Sequence, residues 1–239
     1  RYNGEASAFI FDIRNSTKMT IKAVESNNLN LHVNLMLDIN EKILLSMHSL
    51  GIENEFAFND TGDGCLCVFW DRDHAVTSLK VAIDIYQYLQ AIIDLEGAKY
   101  TDAIGVDSLS FGMGLHSANC SIGNITIKQN GNSIIRNYIY GTVANSVARL
   151  EGFTKNYIHD NLLMSADFKE MAINQYDKNR NEESKTLRSY LKDLNCLGEV
   201  DLKDHKEGGH WIFSLGQVSA DEILHLFGLH RHQEDGKGV

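Results

Sequence analysis

The sequence predicts a single α+β domain, and three observations carry this. Segments with strand alternation and segments with helical spacing interleave along the chain instead of separating into halves. No Pro/Gly/Ser-rich linker and no internal repeat divides the 239 residues. Apolar residues make up 43 % of the chain, enough to bury a sizeable core without staples.

The elements follow in order. SAFIFDI at 7–13 alternates and is rich in β-formers, so it reads as a strand. It runs into Arg14-Asn15-Ser16-Thr17, a polar helix start. Leu31, Leu35, Ile39, Ile43 and Met47 predict a helix over about 30–49. EFAFN and CLCVFW form a hairpin around Thr61-Gly62-Asp63-Gly64. Val76, Leu79, Ala82, Ile83, Tyr86 and Leu89 mark one face of a helix over about 73–95. LSFGMGLHSA at 109–118 is a strand. The segment 121–141 holds another, with an Asn-Gly turn at 130–131. A helix over 142–155 turns Val143, Val147 and Leu150 inward. LLMSAD is a short strand, and a helix follows at 167–174. The charged stretch 177–189 reads as a loop or a solvated helix, and LGEVDL with HWIFSL as a closing hairpin. The domain is bounded at 5–218, leaving 219–239 as a C-terminal helix and tail. His225, His230 and His232 in that piece read as polar tail residues, not as a metal site. The chain contains no proline, for which we have no functional account.

Charge and cysteines exclude several classes. A formal net charge of −10 disfavours a broad nucleic-acid surface. It leaves room for a phosphate-bearing small molecule held by a few placed cations and backbone N–H groups. No apolar run reaches the ~18 residues of a membrane span. Cys65, Cys67, Cys120 and Cys196 form no CxxC pair and no zinc spacing, so they read as reduced thiols of a cytoplasmic protein.

The chemistry concentrates in four segments. Asp12 ends a strand, and Asp63 sits at a hairpin tip. Turn chemistry alone accounts for Asp63, and a helix cap for Asp12. If central strands bring the two together, they suit a hard divalent cation, which prefers one or two carboxylates together with phosphates. Asn145 and Arg149 are four apart on a predicted helix and share a face, where an amide and a guanidinium can grip a ribose and a phosphate. Lys203 follows the penultimate strand.

These segments together resemble the class III nucleotidyl cyclase catalytic domain. The resemblance is carried by Phe11-Asp12-Ile13, Gly62-Asp63-Gly64, the Gly-x-x-x-Asn-x-x-x-Arg-x-Glu pattern from Gly141 to Glu151, Leu202-Lys203, and the strand Phe111 to His116. It spans residues 5 to 215 and implies a ferredoxin-like βαββαβ palm core with extra C-terminal strands and helices. It implies that Asp12, Asp63 and the Ile13 carbonyl hold two divalent cations, Mn²⁺ or Mg²⁺. The turn Arg14, Asn15, Ser16 and Thr17 would offer N–H groups to the phosphates, and Lys203 would bind the polyphosphate. Asn145 would orient the ribose, and Arg149 would clamp the transition-state phosphate. The site would lie at the interface of a head-to-tail homodimer and convert a nucleoside triphosphate to its 3′,5′-cyclic nucleotide.

Two positions depart from the purine-specific members. Asn59 stands four before Asp63, where those members place Lys for adenine or Glu for guanine. Tyr138 stands seven before Asn145, where they place Asp, Thr or Cys. An amide offers both donor and acceptor to a base edge, and a bulky Tyr leaves less room for a two-ring base. The pattern points to a pyrimidine, UTP or CTP. It resembles the compact bacterial pyrimidine cyclases of anti-phage signalling, whose product acts through a separate effector. The alternatives are an adenylate cyclase with an atypical pocket, a related palm-domain enzyme such as a polymerase or dinucleotide cyclase, or a silent nucleotide-binding dimerisation module. A silent member characteristically lacks an Asp or the Arg, and this chain keeps all three. The Asn145/Arg149 helix argues against the other palm enzymes.

Overall fold

A computed structural model describes residues 1–49, 55–129, 132–157, 161–178, 187–192, 194–202 and 209–227. The first strand is longer than its apolar run: β1 covers Tyr2–Ile13. Two helices follow, α1 (Ser16–Glu25) and α2 (Leu29–Ser49), then the hairpin β2 (Phe56–Asp60) and β3 (Gly64–Phe69). Helix α3 spans His74–Ile104, past the end of the periodic apolar stripe, and stops at Gly105 in the left-handed region.

The two strands expected around 109–141 are divided differently. One continuous strand, β4, runs Phe111–Gln129 and pairs with β5, Asn132–Gly141. No proline or helical pattern interrupts 116–123, so the ladder carries straight through. The Asn130-Gly131 turn lies outside the described residues. Helix α4 (Val143–Phe153) and a 3₁₀ turn lead to β6 (Leu162–Ser165) and α5 (Ala166–Asp177), capped by the Ser165 hydroxyl. Of the charged segment, 187–191 form a short helix, α6, and 179–186 lie outside the described residues. The closing hairpin is β7 (Asn195–Val200) and β8 (His210–Ser214), followed by α7 (Gln217–Leu226). Helix α7 buries Ala220 and Ile223 in the main core. Residues 228–239, with His230 and His232, lie outside the described residues.

The sheet order is β2-β3-β1-β4-β6-β8-β7, with β5 beside β4. Within it, β2-β3-β1-β4 with α1, α2 and α3 packed on one face is the palm part of the expected α+β core. Strand β1 is central, antiparallel to both β3 and β4. Its alternation sends Phe9, Phe11 and Ile13 into the main core with α1, α2, α3 and α5. Ala6 and Ala8 face the other way, against Val143 and Val147 of α4. Asp12 shares the parity of Ala8 and therefore lies on the α4 face of the sheet. Among the described residues, no helix is long and apolar enough to cross a membrane.

Candidate active site

Strand register brings Asp12 and Asp63 together. Asp12 lies across from Gly64 on β3 and from Gly112 on β4. The Ile13 amide donates to the Asp63 carbonyl at 2.9 Å, closing the hairpin tip onto the end of β1. Both flanking glycines lie in tight surroundings. A Cβ at position 64 would stand 2.1 Å from the Phe11 carbonyl oxygen. One at 112 would stand 2.2 Å from Thr154 Oγ1 and 2.5 Å from Glu151 Oε1. At 64 the contacts are backbone atoms and only hydrogen fits, whereas at 112 they are side-chain atoms of Thr154 and Glu151, which would have to shift.

The hairpin tip itself is a folded turn. Thr61 N donates to Gly64 O at 3.0 Å, Gly62 adopts φ 91, and Gly62 N donates to Asp60 Oδ1 at 2.6 Å. Asp60 is thus the residue that shapes the turn by an Asx-type bond, which leaves Asp63 free of that task.

The electrostatics are those of carboxylates gathered close together, with Lys155 and Arg14 offsetting only part of the cost. Burial, and then repulsion from Asp63, push the Asp12 carboxyl up to about 6, while Lys155 pulls the other way. Glu151 is buried and also raised, by burial first and by the Asp12 charge next, with Lys155 and Arg14 opposing. Its Oε1 has no hydrogen-bond partner among the described residues. Two hard carboxylates fit Mg²⁺ or Mn²⁺, which complete their shells with water and phosphate oxygens. No cluster of three or more His, Cys, Asp or Glu able to hold a metal alone occurs among the described residues. The donor set therefore suits a cation shared with a phosphate ligand.

The turn 14–17 divides into two parts. The Arg14 amide is taken by Ser110 O at 2.9 Å, and its guanidinium donates to Thr154 O at 2.9 Å and towards Asn161 Oδ1 at 3.4 Å. Arg14 therefore ties β1 to the end of α4, and neither its amide nor its side chain is directed to a phosphate. Its compensating partner is Glu151, a non-local neighbour that sequence spacing did not identify. Asn15 takes the left-handed conformation, φ 60, and opens α1. The first-turn N–H groups that follow have no acceptor within the helix and can face an anion. The Ser16 hydroxyl donates to Asp63 Oδ2.

The remaining expected residues lie apart from this cluster. Asn145 and Arg149 are exposed on α4, while Val143, Ser146, Val147 and Leu150 of the same helix are buried against the sheet. Asn59 is exposed on β2, opposite Leu66 and on the α4 face. Tyr138 lies opposite Gly123 on β5 and is 41 % exposed. Ile139 packs with Ile122 on the α4 face, so Tyr138 projects from the other side of β5. Strands β3, β1 and β4 separate β2 from β5. Lys203 lies outside the described residues. Spacing on the chain also did not reveal Lys155, which lies beside Asp12 only because α4 ends over β1.

No protein-family model matches this chain, and no curated protein matches it. Solved structures do. A bacterial light-regulated adenylyl cyclase matches with TM-score 0.59 at 17 % identity, over 94 % of this chain and 95 % of that one. A second structure described in the same terms gives TM-score 0.60 at 17 % identity over 90 % of this chain, which spans 52 % of that longer one. The adenylyl cyclase CyaB from P. aeruginosa gives 0.56 at 17 % identity, over 89 % of this chain and 94 % of its own. The guanylate cyclase domain of RhGC from Catenaria anguillulae, in complex with GTP, gives 0.57 at 14 % identity, over 90 % and 99 %. Identities this low speak to fold alone. The palm core, the added C-terminal strands and these matches together give the chain the α+β fold of class III adenylyl and guanylyl cyclase catalytic domains.

Proposed function

We propose that the chain is a nucleotidyl cyclase that closes a nucleoside triphosphate to its 3′,5′-cyclic nucleotide and releases pyrophosphate. The observation that carries this reading is the juxtaposition of Asp12 and Asp63 at one strand end, beside the open N-terminus of α1. Two divalent cations, Mn²⁺ or Mg²⁺, would supply charge neutralisation at the attacking and leaving oxygens. Asp12, Asp63 and the Ile13 carbonyl would hold them. The first-turn N–H groups of α1 would position the terminal phosphates, with Lys203 assigned to the same task by resemblance. Such a transfer depends on positioning and electrostatics more than on covalent help.

Asn145 and Arg149 face outward from α4, away from their own Asp12. We assign them to the site of a second protomer, with two equivalent sites per homodimer. There Asn145 would orient the ribose, and Arg149 would grip the phosphate as charge develops. For the base we assign a pyrimidine, UTP or CTP, on the chemistry of Asn59 and Tyr138. A cyclic pyrimidine nucleotide would act through a separate effector, in keeping with a defence signal. The reading predicts a cytoplasmic enzyme.

The test is a product assay with ATP, GTP, CTP and UTP, each with Mn²⁺ and then Mg²⁺, and mass spectrometry of the products. A cyclic pyrimidine nucleotide as main product supports the whole reading. Cyclic AMP as main product retains the mechanism and removes the base assignment. No cyclic product from any triphosphate, with the dimer intact, leaves a nucleotide-binding module and overturns the enzyme.

A further inference from the structure

A chain of polar groups leads from half-buried Asp63 through exposed Thr20 into the buried helical layer. Ser16 donates its hydroxyl to Asp63 Oδ2. The Thr20 hydroxyl donates to the Ser16 carbonyl at 3.0 Å. Thr20 Oγ1 also lies 3.0 Å from His32 Nε2, and His32 Nδ1 lies 2.5 Å from the Tyr100 hydroxyl. Ser16, His32 and Tyr100 are each more than nine-tenths buried, with 8 %, 6 % and 4 % exposure. The members come from α1, α2 and α3. The turn between α1 and α2 is tied down near the end of α3, where Asn28 Nδ2 donates to Ala103 O at 2.7 Å. That anchor sets His32 opposite Tyr100.

One set of bond directions satisfies every group. Taking the Thr20 proton to the Ser16 carbonyl, which can only accept, fixes the remaining roles. Thr20 Oγ1 must then accept from His32, which puts the ring proton on Nε2. Nδ1 is left as the acceptor, and Tyr100 donates to it. Every donor and acceptor is used once in a neutral ring. Burial lowers the His32 pKa, against a smaller opposing pull from Asp63, which agrees with a neutral imidazole.

We propose that Tyr100, His32 and Thr20 are positioning residues for the metal centre, holding the first turn of α1 so that the Ser16 hydroxyl occupies Asp63 Oδ2 and aims its other oxygen at the cation. This rests on the metal-binding reading above. It assigns work to His32 and Tyr100, which touch neither substrate nor cation. The arrangement places a hydrogen-bonded partner behind a ligating carboxylate, the usual means of fixing its orientation.

Mn²⁺ alone, titrated into the full chain and followed by electron paramagnetic resonance, reads the proposal without turnover. Ser16→Ala should weaken Mn²⁺ binding on the order of tenfold, and Tyr100→Phe roughly threefold. In the Ser16→Ala background, Tyr100→Phe should add nothing, because the last link is already cut. Tyr100→Phe removes one oxygen and keeps the ring, so the test does not depend on His32→Gln folding. Nitrogen NMR of the imidazoles, with His32→Gln to assign the signal, should show the neutral Nε2–H tautomer at neutral pH. Undiminished binding in Tyr100→Phe, an equal loss in both backgrounds, or a charged or Nδ1–H ring would overturn the relay. Undiminished Mn²⁺ binding in Asp63→Asn would instead remove the metal assignment, and the relay with it.

Discussion

Gly64→Ala tests the geometry that joins the two carboxylates. The added Cβ would lie 2.1 Å from the Phe11 carbonyl oxygen and 3.0 Å from the Asp12 Cα, both backbone atoms. No side-chain rotation relieves the contact. The strands must separate by about 0.9 Å to bring it to the shortest tolerated distance. Gly64 is buried in the ladder, so the movement is resisted by the β1–β3 pairing itself. Overpacking of this kind costs about 1–3 kcal/mol. For a chain of this size that lowers Tm by roughly 3–10 °C. The displaced residue is Asp12, and a shift of about 1 Å in a reacting constellation costs on the order of 100-fold in rate. Thermal melts in EDTA and cyclase turnover at saturating Mn²⁺ measure the two effects. Gly97→Ala on α3 serves as comparison. Its Cβ meets only Ile93 Cγ2 at 3.8 Å, so it should hold or raise Tm, as Ala does in a helix. A Gly64→Ala protein with parental Tm and turnover would refute the close approach of β3 to Asp12.

Asp12→Asn should abolish metal-dependent turnover yet raise the Tm of the metal-free protein at pH 7.5, because it removes a charge penalised first by burial and then by repulsion from Asp63. The sign follows from the Asp12 carboxyl, pushed up to about 6 from an ordinary 3.8. Between those values the folded state binds more protons than the unfolded one, so parental stability in EDTA should fall as pH rises from 4 to 6. That slope should flatten in Asp12→Asn, and an identical slope in both proteins would contradict the assignment. Arg149→Ala should lower kcat about 100-fold or more with little change in KM, and an effect confined to KM would deny it a transition-state contact. Mixing inactive Asp12→Asn and Arg149→Ala chains should restore about a quarter of parental activity, since half the dimers then hold one intact site. No recovery after verified subunit exchange would place Arg149 and Asp12 in the same protomer's site. Tyr138→Ala should raise purine triphosphate turnover relative to pyrimidine. An unchanged ranking would exclude Tyr138 from the base pocket, as its place on the far side of β5 from α4 would then require.

Most of the element order was legible because each element carries its own period. The helix over 30–49, the hairpin around Asp63 and the inward set Val143, Val147 and Leu150 are local patterns, and each appears where its spacing predicts. Boundaries were less legible. Helix α3 runs beyond its apolar stripe, and β4 continues through residues with no strong strand signal, because tertiary pairing outweighs weak local preference.

The residue types of the candidate site were also present in the sequence: two carboxylates, a polar turn, and an Asn and Arg on one helix face. Their arrangement was not. Asp12 and Asp63 meet through strand register, which depends on contacts between distant segments and has no signature in either segment alone. Arg14 reads as a phosphate ligand by position, but burial beside Glu151 and the Thr154 carbonyl turns it into a tie between β1 and α4. His32 and Tyr100 are unremarkable in their helices and become partners only when α2 packs on α3. The sequence alone thus determined which groups are available and which face of each element is apolar, because both are set within a few residues. Tertiary structure alone decided which groups meet and which of them, like Arg14, tie elements together.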